Sequence, residues 1–207
     1  MKRWRAWAAA SSLLLLLGGA GPGTANGPLE QIRETTDKIL DVVKDPALKG
    51  PDKAAERAEK IRALADERFD WHEMSRLALG RYWRDRTPAE RKGFTDLFGR
   101  LVENTYMDKV EGYSGELIRY TGERVDGKYA TVNVVIVTRK NVDIPVEYRL
   151  MLEGTKWFVY DVLVEGVSLV NNYRSQFDEI LTNQTFQELM QRLEAKVKEG
   201  EPSPGPG

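Results

Sequence analysis

Side chains able to do covalent chemistry are scarce in this 207-residue sequence, which has a single histidine, His72, and no cysteine. That inventory strips a Ser-His-Asp triad and the common zinc sites of most of their components. The G-x-S-x-G elbow, the G-x-x-x-x-G-K phosphate loop and the G-x-G-x-x-G dinucleotide turn do not occur. What remains is a carboxylate beside a phenol, Asp161 and Tyr160, inside the apolar run 157–164. Such a pair could act as acid and base on a hydrophobic substrate. The competing reading is structural, with Asp161 anchoring a neighbouring loop or pairing with an arginine. Strict alternation puts Asp161 on the face of Trp157 and Val159, and Tyr160 on the face of Phe158 and Val162. His72, between Trp71 and Glu73 at the start of a short predicted helix, reads as a structural or surface residue.

The elements that position these groups change period part-way along the chain. From Leu29, the residues Ile32, Ile39, Leu40 and Val43 recur at helical spacing until Pro46, Gly50 and Pro51 interrupt them. A second helix is predicted from Asp52, with Ala54, Ala58, Ile61 and Leu64 on one stripe. Asp70 and Glu73 have the capping-box spacing of a short helix that Gly80 closes. Thr87, Pro88 and Glu90 start a long one, which carries Phe94, Phe98, Leu101, Val102 and Met107 almost to Gly112. Beyond Gly112 the period drops to 2. Strands are predicted at 116–121, 129–138, 142–152 and 157–164, followed by a loop over 166–172 and helices over 173–181 and 183–197. The Pro, Gly and Ser of 199–207 predict a disordered tail. The expected fold is one α+β domain over 26–198: a four-stranded antiparallel sheet with helices packed on one of its faces.

Lys2, Arg3 and Arg5 precede an apolar stretch at 6–17, and small residues follow to Ala25. That order is a secretory signal peptide over 1–25, with cleavage expected after Ala25. Its apolar core falls short of the roughly 20 residues a spanning helix needs. With no cysteine to carry acyl chains, the mature protein is expected to be exported and free in solution. Cleavage takes Lys+Arg from 31 to 28 against 32 Asp+Glu, a net charge of −4. This balance disfavours nucleic acid as the ligand.

The strands carry more apolar residues than a half-exposed sheet needs. Both faces of 157–164 are apolar, and 129–138 has Ala130, Val132, Val134 and Ile136 on one face with Val135 and Val137 on the other. Either helices cover both faces, or the sheet curls so that one face lines an apolar cavity.

Two segments resemble a known family. Residues 69–83, FDWHEMSRLALGRYW, lead into Phe94 and Phe98 at F-x-x-x-F spacing. Residues 157–177, WFVYDVLVEGVSLVNNYRSQF, run from W-x-V-x-D-V through E-G-V-S-L to N-Y-R-x-x-F. Both are similar to the MlaC family, also called the toluene-tolerance family. The resemblance implies a twisted four-stranded antiparallel sheet with helices packed around an apolar cavity, in a soluble periplasmic protein that holds a phospholipid by its tails as cargo, with no cofactor and no covalent chemistry. It implies partners too, an outer-membrane lipoprotein complex and an inner-membrane ABC transporter with an MCE-domain subunit, between which lipid moves to maintain outer-membrane asymmetry. On this reading Val134, Ile136, Val146, Tyr148 and Leu150 are expected to wall the tail site. Leu101, Val102, Tyr106, Tyr173 and Phe177 are expected to roof it. Arg174 is expected to be structural, pairing with Asp161 or Glu165, with a lipid phosphate as the alternative partner, and Asn183-Gln184-Thr185 reads as a helix cap rather than a glycosylation site. Two rival readings stand beside the carrier: a small cofactor-free enzyme using Asp161 or Tyr160, and an adaptor whose apolar surplus is ordinary core.

Overall fold

Pro28 sets the first turn of α1 (Pro28–Lys44), in which Ile32 and Val43 are buried. The computed structural model describes residues 26–200, so the signal segment expected at 1–25 and the tail from 201 onward lie outside the described residues. Gly27 offers α1 no side-chain cap, and the Glu123 carboxylate accepts the Leu29 N–H at 2.7 Å in its place. Two single 3₁₀ turns, Pro46–Leu48 and Pro51–Lys53, carry the chain into α2 (Ala54–Asp66). The helix α3 (Trp71–Leu79) opens on Asp70, which accepts the Glu73 N–H at 2.8 Å; Glu73 does not complete the box but pairs with Arg76 at 2.6 Å. The full capping box does form between Thr87 and Glu90 at the head of α4 (Pro88–Glu111).

The sheet follows as an antiparallel meander of β1 (Leu117–Asp126), β2 (Tyr129–Val137), β3 (Asp143–Glu153) and β4 (Lys156–Val164). It has five strands, not the expected four. Glu165 and Gly166, at φ 51° and 79°, turn the chain back so that β5 (Val167–Ser168) pairs with the end of β4. A two-residue strand leaves no alternation to read. The predicted loop to 172 is likewise replaced, because Ser168 accepts the Asn171 N–H and caps α5 (Leu169–Asn183) directly after β5. β1 also runs past its predicted end at 121, since the register slips at Thr121 and pairing resumes at Gly122 with Asn133. Thr185 and Glu188 form the second full capping box, at the head of α6 (Phe186–Glu199).

Buried side chains fall into two clusters. One is helical, with Met74 and Leu79 of α3, Phe94 and Phe98 of α4, Phe177 of α5 and Leu189 of α6. The other lies on one face of the sheet, where Val132, Val134, Val146, Leu150 and Val159 pack with Ile32 of α1. Phe69 packs against both, and backbone hydrogen bonds from Asp70 N–H to Val159 O and from Val159 N–H to Arg68 O, each 2.9 Å, fix it at the join. A buried polar node holds α1 to this join. Gln31 Oε1 accepts from Trp157 N–H at 3.0 Å and from Arg68 Nη1 at 2.7 Å, while Gln31 Nε2 donates to the carbonyls of Asn26 and Thr155.

Between α2 and α4 the ties are ionic, Arg57 to Glu111 at 3.0 Å and Arg62 to Glu103 at 3.6 Å. Burial, with Asp66 nearby, pushes the Glu103 carboxyl up to about 7 against the opposing pull of Arg100 and Arg62. Below its ordinary value of 4.5 the group is protonated in both folded and unfolded chains. As pH rises from there to 7, only the unfolded chain ionises it. Stability therefore falls across that window and levels off above it, by roughly 2 kcal/mol once residual hydration is allowed for. In urea unfolding at pH 5 and pH 8, Glu103→Gln is expected to remove this fall; an unchanged pH profile would show that Arg62 keeps Glu103 ionised.

Candidate functional site

A bulge in β4 decides what Asp161 can do. The register passes from Leu150–Val159 to Arg149–Asp161, leaving Tyr160 as the extra residue. Val162 and Val164 thus pair with Tyr148 and Val146 and join Trp157 and Val159 in the sheet cluster. This corrects the facing that strict alternation predicts, because Asp161 leaves the Trp157 face and stands opposite Arg149. The carboxylate is 4% exposed and fully engaged. Oδ2 accepts from Ser168 Oγ at 2.7 Å, Oδ1 accepts from Val170 N–H at 3.1 Å, and Arg149 Nη1 lies 3.6 Å away. It fixes the N-terminus of α5 to β4, where the helix dipole favours its charge. Tyr160 meets Tyr129 edge-to-face at 6.2 Å, and burial raises its phenol above the usual value, so it stays protonated and is a weaker acid.

His72 is exposed and packs edge-to-face on Trp83 at 5.2 Å. Arg174 pairs with neither Asp161 nor Glu165 among the described residues; it lies against Gly80, where a Cβ would come within 3.0 Å of its Nε. Gly80 also sits at φ 54°, so the glycine is needed there twice over. Thr185 does cap a helix. No group of three or more His, Cys, Asp and Glu that could hold a metal ion occurs among the described residues.

Five of the ten residues expected to contact lipid lie together. Across β2 and β3, Val134 pairs with Val146, Ala130 with Leu150, Val132 with Tyr148 and Ile136 with Ile144. Val134, Val146 and Leu150 are buried, whereas Ile136 and Tyr148 keep part of their surface accessible. Ile118 and Tyr120 of β1 extend the same face, opposite Ile136 and Val134. Sequence reasoning passed over these two, although their alternation with Leu117 and Arg119 was there to read. The helical five do not meet this face as one wall. Leu101, Val102 and Phe177 are buried in the helical cluster, where Phe177 stands edge-to-face on Phe94 at 5.5 Å and Phe98 at 5.7 Å. Tyr173 packs at the edge of that cluster, 5.1 Å from Phe98, and Tyr106 is 38% exposed. Two open hollows of about 360 and 310 Å³ lie elsewhere, on α6 and beside the start of α4, and none of the ten residues lines either.

The sheet face suits an apolar ligand and offers no reactive group. Its hydroxyls are those of Tyr120, raised by burial, and Tyr148, pushed up to about 12 for the same reason, so both stay protonated. No helix among the described residues is long and apolar enough to cross a membrane.

Known proteins resemble the chain in sequence and in fold. Over 126 residues it is 25% identical to the intermembrane phospholipid transport system binding protein MlaC of Haemophilus influenzae, a stretch that covers 58% of this chain and 59% of that one. Over 98 residues it is 29% identical to the toluene tolerance protein ttg2D of Pseudomonas putida, covering 47% of this chain and 46% of that one. The chain thus spans about half the length of the curated relatives it matches. A solved phospholipid-binding protein of Ralstonia solanacearum, in complex with a phospholipid, has the same fold, with a TM-score of 0.72 at 23% identity over 83% of this chain and 97% of that one. A family model described as MlaC protein matches residues 33–195, which takes in both α3 and the whole sheet, and the chain belongs to the MlaC family.

Proposed function

We propose that this protein is a phospholipid carrier that holds acyl tails against the apolar face of its sheet. The observation that carries the reading is that face itself. Ile118, Ile136, Ile144, Tyr148 and Val164 pack on a buried apolar floor yet remain partly accessible, with α1 the helix set against them. Burying acyl chain yields about 0.8 kcal/mol per CH₂, so a two-chain lipid gives up on the order of 20 kcal/mol in leaving a bilayer for water. A carrier must return nearly all of it, which needs an extended apolar surface and few polar atoms. Val134, Ile136, Val146, Tyr148 and Leu150 supply that wall. Leu101, Val102, Tyr106, Tyr173 and Phe177 belong to the helical side and stand outside that wall.

The proposed setting is the periplasm, reached through the signal segment at 1–25. Lipid moves between an inner-membrane ABC transporter with an MCE-domain subunit and an outer-membrane lipoprotein complex, which maintains outer-membrane lipid asymmetry. The intermembrane phospholipid transport system to which the Haemophilus influenzae relative belongs and the phospholipid in the structural neighbour support a lipid-transfer role. Direction and energy come from the partners, since binding involves no covalent step. The test is native purification of the mature protein, extraction with organic solvent and mass spectrometry. About one phospholipid per protein is expected; a protein that arrives lipid-free and takes up none from anionic vesicles overturns the reading.

A further inference from the structure

Two hydroxyls stand on a face that would hold tails equally well without them. Tyr120 pairs with Val134 on β1–β2 and Tyr148 with Val132 on β2–β3, so both rings rise from the same side of the sheet, on strands flanking β2. Tyr120 Oη is buried without a hydrogen-bond partner among the described residues. Thr36 faces it from α1 outside hydrogen-bond geometry; its hydroxyl donates to the Ile32 carbonyl at 2.9 Å and keeps its own lone pairs. Tyr148 is half-buried, and burial together with the neighbouring Tyr120 pushes its phenol up. Glu123, the charged side chain on this side of β1, is engaged by the α1 terminus. Arg33 lies 4.8 Å over the Tyr120 ring with its guanidinium side half exposed, so Tyr120 sits near the solvent rim and Tyr148 further in.

An unpaired buried hydroxyl is a liability that phenylalanine would avoid. Both phenols keep their protons at any physiological pH, so each is a standing donor. In a phospholipid lying on this face, the acceptors that enter with the tails are the acyl-ester carbonyls, while the phosphate stays near water. We propose that Tyr120 and Tyr148 donate hydrogen bonds to the acyl-ester carbonyl oxygens of the bound phospholipid, so that the protein holds ester-linked lipid in preference to its ether-linked counterpart. The inference rests on the carrier reading and deepens it. Recognition of the ester would grip the part that diacyl lipids share and leave the headgroup unread.

The test loads delipidated protein from vesicles with a diester phosphatidylethanolamine or with the dialkyl ether of the same chain length, and then follows loss to acceptor vesicles. The native protein is expected to retain the diester about tenfold longer, the size of a net hydrogen-bond contribution. In the double variant Tyr120→Phe, Tyr148→Phe the ratio is expected to fall to about one, with no loss of thermal stability in the lipid-free protein. Equal retention of both lipids by the native protein, or a ratio that survives in the variant, overturns ester recognition and leaves the carrier standing. A lipid-free variant that melts lower also overturns it, since the hydroxyls would then be bonded within the protein. Retention of neither lipid removes the carrier reading and this inference together.

Discussion

Asp161→Ala is expected to lower folding stability by about 3–4 kcal/mol in urea unfolding, and Asp161→Asn by about half as much, with lipid uptake and transfer preserved in whatever fraction folds. The alanine leaves Val170 N–H and the Ser168 hydroxyl without their acceptor and releases the nearby Arg149. Hydrogen bonds to a charged acceptor contribute about 1.5–3 kcal/mol each, and loss of one partner in a buried charged contact is costlier still. Asparagine keeps the shape and one acceptor oxygen. These outcomes separate the carrier from the enzyme. A group whose oxygens already bind Ser168 Oγ and the α5 terminus has little left to offer a substrate proton, so its removal should act through α5. Loss of lipid transfer far beyond the unfolded fraction would restore a chemical role to Asp161.

Local signals in the sequence translated well into structure, and non-local ones did not. Thr87 with Glu90 and Thr185 with Glu188 cap helices because the partners are three residues apart and need nothing else. Glu73 has the same spacing yet turns to Arg76, whereas Glu90 completes its box with Arg86 only 3.4 Å away. The strand order was legible from alternation and short turns, but the bulge at Tyr160 was not. It arises where Asp161 must reach the α5 terminus while Val162 and Val164 stay with the sheet cluster, a conflict that exists only once the helix is docked. That Val134, Ile136, Val146, Tyr148 and Leu150 share one face was readable because the period of a strand names a face. Helical period told that Leu101, Val102 and Phe177 are buried but not against what, and the structure places them among the rings of α4 and α5.

That separation makes the effect of Phe98→Ala a test of where the lipid lies. Phe98 is 0% exposed and packs on Phe94 at 5.7 Å, Phe177 at 5.7 Å and Tyr173 at 5.1 Å, so its truncation strips a shared partner from three rings. A loss of about 4 kcal/mol in lipid-free stability is expected, from lost transfer energy, the cavity left behind and lost ring contacts. Leu150, also 0% exposed, lies in the sheet cluster, and Leu150→Ala is expected to cost somewhat less. Because Phe69 is the side chain common to both clusters, the two losses should add to within about 0.5 kcal/mol. Lipid loading adds stability that grows with the logarithm of its affinity for the folded state. With the tails on the sheet face, that gain should be unchanged in Phe98→Ala and altered in Leu150→Ala, read as the shift in melting temperature between loaded and lipid-free protein. A gain that disappears in Phe98→Ala while the protein stays folded would move the tails into the helical cluster and make Leu101, Val102 and Phe177 their wall.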